Sequence, residues 1–226
     1  MSRVALARLL HLSSQTLPIG GYSHSQGLES AIERRVVSDE ASLKRWIGDC
    51  LDFTFASFEI PCLLSLMAAW TEKDAALIGA LNDEYLASRE SAELRLAAVQ
   101  MGHSLRALLY VLPDLPLKLS AQLEALAEPS LPCAWSAAAS AWCIEPADAA
   151  VGYLWSWAEN QVLVAMKSLP LGQSAGHRLL LELGPRISQL AEDCAASAPA
   201  LRSNFAPGLA ILSSQHETQY SRLFRS

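Results

Sequence analysis

RESAELRLAAVQMGHSLRALLYVL, from Arg89 to Leu112, holds the most regular apolar pattern in the chain. Leu94, Ala98, Met101, Leu105, Leu108 and Leu112 recur at spacings of three and four, which puts them on one face of an α-helix. Arg89 and Glu93 stand four apart and are expected to pair along its polar side. The charge block at its start (Arg89, Glu90, Glu93, Arg95) reads as a solvated helix face or as ion pairs that fix the neighbouring loop. Pro113 and Pro116 are expected to end the helix, since proline removes a donor and pushes the residue before it out of helical geometry.

Working outward, the same period recurs almost everywhere. Val4, Leu6, Leu9, Leu10 and Leu12 predict a short amphipathic helix, and Leu28 with Ile32 another that ends near Arg34 and Arg35. Asp39 is placed to cap a third, with Leu43, Trp46, Ile47, Cys50 and Leu51 at helical spacing. Pro61 is expected to start or kink the next, whose core is Leu63, Leu64, Met67 and Trp70. A further helix spans about Asp74 to Ser88, with Leu77, Leu81, Tyr85 and Leu86 inward. The alanine-rich segment from Leu131 to Ala149 suits close helix–helix contact. Pro146 opens a helix through to Lys167, and one more runs from about Gln173 to Ala196. Residues Ser197 to Pro207 read as a loop. No strand pattern, fixed repeat or low-complexity linker interrupts this. The expectation is one all-α domain over 1–226, a bundle of roughly ten helices.

Of the 226 residues, 51% are hydrophobic and only 18% charged, so few charges must cover much surface. That composition, with small-residue helices such as Ala134–Ala141, predicts apolar surface hidden in a homodimer. A net charge of −6 argues against non-specific nucleic-acid binding. Cys50, Cys62, Cys133, Cys143 and Cys194 lack CxxC spacing and read as buried free thiols in a reducing compartment. Arg3 and Arg8 interrupt the first apolar residues, so no signal peptide is expected, and no apolar run approaches the roughly 20 residues of a bilayer span. A cytoplasmic protein with no membrane contact follows.

Two stretches stand apart. In LPIGGYSHSQGLE (Leu17–Glu29), Pro18 fixes φ, Gly20 and Gly21 permit a sharp turn, and Ser23 with Gln26 has capping-box spacing, so a helix is expected to begin at Ser23. A bent segment feeding a helix N-terminus can hold an anion or a carboxylate. Tyr22, Ser23, His24, Ser25 and Gln26 give it a run of polar-tipped side chains. The second is ILSSQHETQYSRLFRS, which keeps Tyr220, Leu223 and Phe224 interleaved with Arg222 and Arg225, residue types that carry interface energy. Turn and tail are complementary, a guanidinium for Glu29 and an anion for a helix start, and are expected to pack together.

Enzymatic readings are weak. Gly21-Tyr22-Ser23-His24-Ser25 is one residue short of a G-x-S-x-G elbow and lacks the strand that strains it. Gly20-Gly21 lacks the GK[ST] of a P-loop, so no nucleotide site is expected. His11, His24, His103, His177 and His216 form no ligand spacing; His24 and His216 are expected at the surface, as ordinary polar histidines or as ligands at a partner interface. Lys167, among apolar neighbours, is a nucleophile only if buried; otherwise it offsets a helix dipole before Pro170 and serves as a contact residue.

Four segments together resemble the UreF family of urease accessory proteins: the LPIGGYSHSQGLE turn, the RESAELR block leading into QMG, the ENQV…MKSLPLGQ stretch, and the HETQYSRLFRS tail. Pro18, Gly20, Gly21, Tyr22, Ser23, Ser25, Gly27, Leu28 and Glu29 match the family turn, and Arg89, Glu90, Glu93 and Arg95 its charged block. Lys167 and Pro170 match its KxxP step; His216, Glu217, Gln219, Tyr220, Arg222, Leu223, Phe224, Arg225 and Ser226 match the tail. The resemblance implies an all-α homodimer in a complex with the scaffold UreD (or UreH) and the GTPase UreG, which delivers nickel to apo-urease at the expense of GTP. It implies a non-catalytic adaptor without a cofactor or a metal site of its own, binding partners through the turn (13–29), the charged block (Arg89, Glu90, Glu93, Arg95), Lys167 and the tail (207–226), and sometimes regulating the GTPase. The alternatives are an all-α enzyme using Ser23 or Lys167, and a generic helical dimerisation module.

Overall fold

A computed structural model describes residues 1–112, 115–196 and 202–226. Eleven α-helices occur among them: α1 Arg3–Leu12, α2 Leu28–Glu33, α3 Glu40–Cys50, α4 Ile60–Glu72, α5 Ala75–Ala87, α6 Ala92–Val111, α7 Leu117–Glu124, α8 Leu131–Ala141, α9 Pro146–Ser168, α10 Gln173–Ala196 and α11 Pro207–His216. No strand occurs among the described residues, and the all-α expectation holds. Starts follow local chemistry. Asp39, Asp74 and Ser91 each turn a side-chain oxygen back to a backbone N–H of the first turn, and Asp39 with Ser42 completes a capping box.

Helices α3 and α4 are one 33-residue rod, because Leu51–Glu59 between them is wound as a π-helix. Pro61 explains the need. Lacking an N–H, it cannot serve the carbonyl four residues back, that of Ser57. The chain widens just ahead of it, with the Ile60 N–H reaching back five residues to Phe55 O, and the Ser57 carbonyl accepts instead from the Ser203 N–H at 3.1 Å. The rod is long and apolar enough to cross a bilayer by length and composition, against the expectation from sequence that no such run exists. It lies in the core instead, with 67% of its most apolar window buried.

The core is built where α4 packs on α8, α8 on α6, and α9 on α10. Ala134, Ala137, Ala138 and Ala139 are wholly buried, so the small-residue helix that suggested a dimer surface serves packing within the chain. At Gly102 any side chain would overlap the Pro129 carbonyl, which sets how closely α6 passes the start of α8. Several expectations need correction. Leu77, Val4, Leu6 and Leu10 are exposed; in α1 it is Ala5, Leu9 and Leu12 that turn inward. Cys50, Cys62 and Cys133 are buried, and burial pushes the Cys62 thiol up to about 12, but Cys143 is exposed and Cys194 half-buried. Helix α7, unforeseen, begins directly after Pro116. Pro113 and Ser197–Leu201 of the expected loop lie outside the described residues; 202–206 carry no helix.

Arg89 is not on the polar side of α6 and does not pair with Glu93. It precedes the helix and points into the core, where Nη1 meets Glu59 Oε1 at 2.6 Å with both side chains over nine-tenths buried. Tyr85 and Tyr153 donate to the same carboxylate at 3.1 and 3.3 Å, and the guanidinium lies over the Tyr85 ring. Each charge is costly alone and balanced together. Arg89→Met should therefore destabilise the fold by about 3–5 kcal/mol, and adding Glu59→Leu should recover most of that loss. Urea unfolding of the two variants measures the difference.

Candidate functional site

The two stretches singled out in the sequence meet on one side of the bundle. The turn is shaped by its glycines. Gly20 takes φ +76°, Gly21–Ser23 makes a single 3-10 turn, and Ser23 Oγ donates back to Gly20 O at 2.7 Å. Ser23 therefore does not cap a helix. Gln26 and Gly27 both take positive φ, and α2 starts only at Leu28. A Cβ on Gly27 would press Leu209 of α11 at 3.0 Å, so glycine is needed there for approach as well as for conformation.

Helix α11 lies across α2 and the start of α6. Ser213 and Ser91 share a hydroxyl bond at 2.6 Å, and Glu217 accepts from the Ala92 N–H, a carboxylate at the positive end of α6. Beneath them His216 is wholly buried, with Nε2 3.0 Å from Glu29 and Nδ1 2.6 Å from Glu93. Each ring nitrogen thus faces a carboxylate oxygen, and the imidazole bridges the two glutamates. Arg222 adds a cation, 2.6 Å from the other oxygen of Glu93. The Glu29 carboxylate also accepts the backbone N–H groups of Leu223 and Phe224 at 2.6 and 3.0 Å.

The final residues then enter the turn. Arg225 N–H donates to Ser23 O at 2.8 Å. The Ser226 carbonyl oxygen accepts from the Ser25 N–H, from the Gln26 N–H at 3.0 Å and from Ser25 Oγ at 2.6 Å. His24 Nδ1 is paired with Ser226 Oγ at 2.8 Å. Helix α9 holds the turn from below: Asn160 donates to His24 O, Gln161 to Ser25 O, and Trp157 to the Gln26 side chain. Those α9 residues were not among the expected site residues. The signal available was the ENQV segment itself, two adjacent amides about one turn after an indole, which carries part of the family resemblance.

The expected site residues divide by accessibility. Pro18, Tyr22, Lys167, Glu217, Tyr220, Arg222, Leu223 and Arg225 are exposed, and Gly20, Gly21 and Ser23 are partly so. His24, Ser25, Gly27, Glu29, His216 and Phe224 are buried, contrary to the surface histidines expected, and act by fixing turn and tail. The charged block splits three ways: Arg89 to the core, Glu93 to the tail, and Arg95 outward to Glu128 at 2.6 Å. Glu90 is exposed, and partial desolvation raises its carboxyl above the usual range. Tyr22, Ser23, Lys167, Leu223 and Phe224 line an open groove, with the Lys167 ammonium 5.6 Å from the centre of the Phe224 ring. Among the described residues no group of three or more His, Cys, Asp or Glu side chains is arranged to hold a metal ion.

Burial, and then the nearby Arg225 charge, lower the His24 pKa to about 4 from 6.5. The unfolded chain thus takes up a proton at higher pH than the folded one. The stabilisation from a neutral His24 is complete above pH 6.5 and is lost as pH falls toward 4, a change on the order of 3 kcal/mol. Melting temperature should fall over this window, and His24→Leu should flatten the slope; an unchanged slope in the variant would contradict it. At neutral pH, His216→Ala should cost about 1–3 kcal/mol by leaving the carboxylates of Glu29 and Glu93 without the imidazole they share. Chemical unfolding, with protease cleavage of the tail as a local readout, measures this.

Comparison with known proteins covers both this site and the bundle behind it. The family model described as UreF matches residues 37–184. The chain is 53% identical over 222 residues to the urease accessory protein UreF of Dechloromonas aromatica, covering 98% of this chain and 97% of that one. It is 53% identical over 225 residues to that of Azoarcus sp., covering 98% and 95%. Against that of Janthinobacterium sp. it is 46% identical over 226 residues, all of both chains. The UreF family model covers neither the turn nor the tail, but the Janthinobacterium relative aligns through both. The chain belongs to the UreF family.

Proposed function

We propose that this protein is a non-catalytic urease accessory adaptor, which docks a UreD/UreH-type scaffold and, in that assembly, works with the GTPase UreG to deliver nickel to apo-urease in the cytoplasm, with an influence on GTP hydrolysis. The observation that carries the reading is the clasped tail. Two carboxylates, an imidazole and a guanidinium, joined by short contacts, hold ten residues of irregular chain against the bundle. The tail thereby brings Leu223 into one groove with Tyr22 and Lys167, and leaves Tyr220 and Arg225 exposed beside it in sequence. Tyr220 is fully exposed and Leu223 72% so, a cost that a soluble chain has reason to bear where a partner covers them.

An enzyme using Ser23 or Lys167 fits less well. Ser23 Oγ is spent on Gly20 O, with no base beside it, and Lys167 is exposed above an aromatic ring. A homodimer belongs to the same proposal. Its support is no longer the buried alanine helix but the exposed apolar pair Leu6 and Leu10, one turn apart on α1 and suited to a second copy. Light scattering should then give about twice the 24.4 kDa chain mass.

The docking surface is tested by single substitutions, because deleting the tail would strip Glu29 and Glu93 of their partners. Tyr220→Ala and Arg225→Ala should each weaken binding to the scaffold encoded with the same urease by about 1–3 kcal/mol. Arg178→Ala, which removes the α10–α3 pair with Glu40, should leave it unchanged. Calorimetry of the purified pair, with circular dichroism as a folding check, decides. Full affinity in the Tyr220 and Arg225 variants would overturn the assignment.

A further inference from the structure

Beneath the turn, where the π-helical segment widens the rod, lies a cavity of about 90 Å3 bounded by α9, α8 and the start of α6. Three polar atoms on its wall have no hydrogen-bond partner among the described residues: Thr54 Oγ1, Trp135 Nε1 and Asn160 Oδ1. All three side chains belong to residues more than nine-tenths buried. Such groups are rarely left alone, because an unmatched buried donor or acceptor retains its full desolvation cost. Each comes from a different element, so no small rearrangement within one helix pairs them with one another.

The chemistry of the wall specifies the occupant. Trp135 Nε1 only donates, Asn160 Oδ1 only accepts, and Thr54 Oγ1 does either. An occupant must therefore offer both an acceptor and a donor. The Glu59–Arg89 pair on the same wall is already mutually balanced, so an additional charge would be buried without a counter-ion. Phe55, Leu94, Ala98, Met101 and Trp157 supply apolar wall between the polar points. One water meets all three polar points, but at about 30 Å3 it leaves most of the volume, and the apolar wall around it, unfilled. A cavity of roughly 150 Å3 takes benzene, so about 90 Å3 suits a molecule of roughly four heavy atoms. Gln26 and Tyr22 stand at the wall on the turn side, and Gln26 is the residue that both receives the Trp157 indole and donates to Ser226.

We propose that this cavity is a binding site for a small neutral amide-like molecule, with a carbonyl accepting from Trp135, an N–H donating to Asn160, and Thr54 completing the set. The site shares Tyr22 with the docking groove, but its three polar points lie on other residues, so its test does not depend on docking. The probe is acetamide, added to the full-length protein while the indole N–H resonance of Trp135, identified by its loss in Trp135→Phe, is followed by NMR. The expected result is a saturable shift of that resonance with a roughly millimolar dissociation constant. Acetate, of the same shape but charged, should produce no such shift. Thr54→Val, which keeps the side-chain shape, should weaken acetamide about threefold to tenfold. A resonance that does not respond means a chamber for water alone and overturns the proposal. So does an equal response to acetate, an equal shift of all indoles, or an unchanged affinity in Thr54→Val.

Discussion

Glu29 cannot be buried by itself, and much of the functional side of this molecule follows from that. Its carboxylate sits in the first turn of α2, where the helix dipole favours it, but packing of α11 removes its water. The chain answers with His216 on one side and the backbone N–H groups of Leu223 and Phe224 on the other. His216 in turn needs Glu93, and Glu93 needs Arg222. Each group is satisfied by the next, and the last ten residues are pinned as a consequence. Chain ends ordinarily fray because few contacts hold them. Here the contacts are charge-assisted and buried, which is what lets an irregular tail present side chains in fixed positions.

A second constraint is covalent. Pro61 deprives the Ser57 carbonyl of its helical partner, and the widened turns that precede it re-aim the residues from Leu51 to Glu59. Thr54, Phe55 and Glu59 face the same interior space as a result. Glu59 then collects Arg89, Tyr85 and Tyr153 from three other places in the chain, tying the rod to α5, to the approach to α6 and to α9. The cavity and the buried ion pair are two products of one local change in helical winding. Helix α9 is common to both constraints, because Asn160 faces the turn with its amide nitrogen and the cavity with its oxygen.

The sequence by itself determined most of the helices, since a period of 3.6 and a capping side chain are local properties. Asp39, Asp74 and Ser91 act within three residues of where they stand, and the α6 face from Leu94 to Leu105 is buried as its spacing requires. The turn and tail were also legible as exceptional, because glycines next to polar residues and aromatics in a chain end depart from local habit. Tertiary structure alone decided where the charges went. Arg89 and Glu93 are four apart, yet one enters the core and the other meets the tail, because each finds a counter-ion distant in sequence, Glu59 for one and His216 with Arg222 for the other. The same holds for His24 and His216, polar by type but buried because Ser226 and two glutamates complete them. Electrostatic satisfaction inside a protein is settled between segments brought together by packing, and no spacing rule along the chain encodes it.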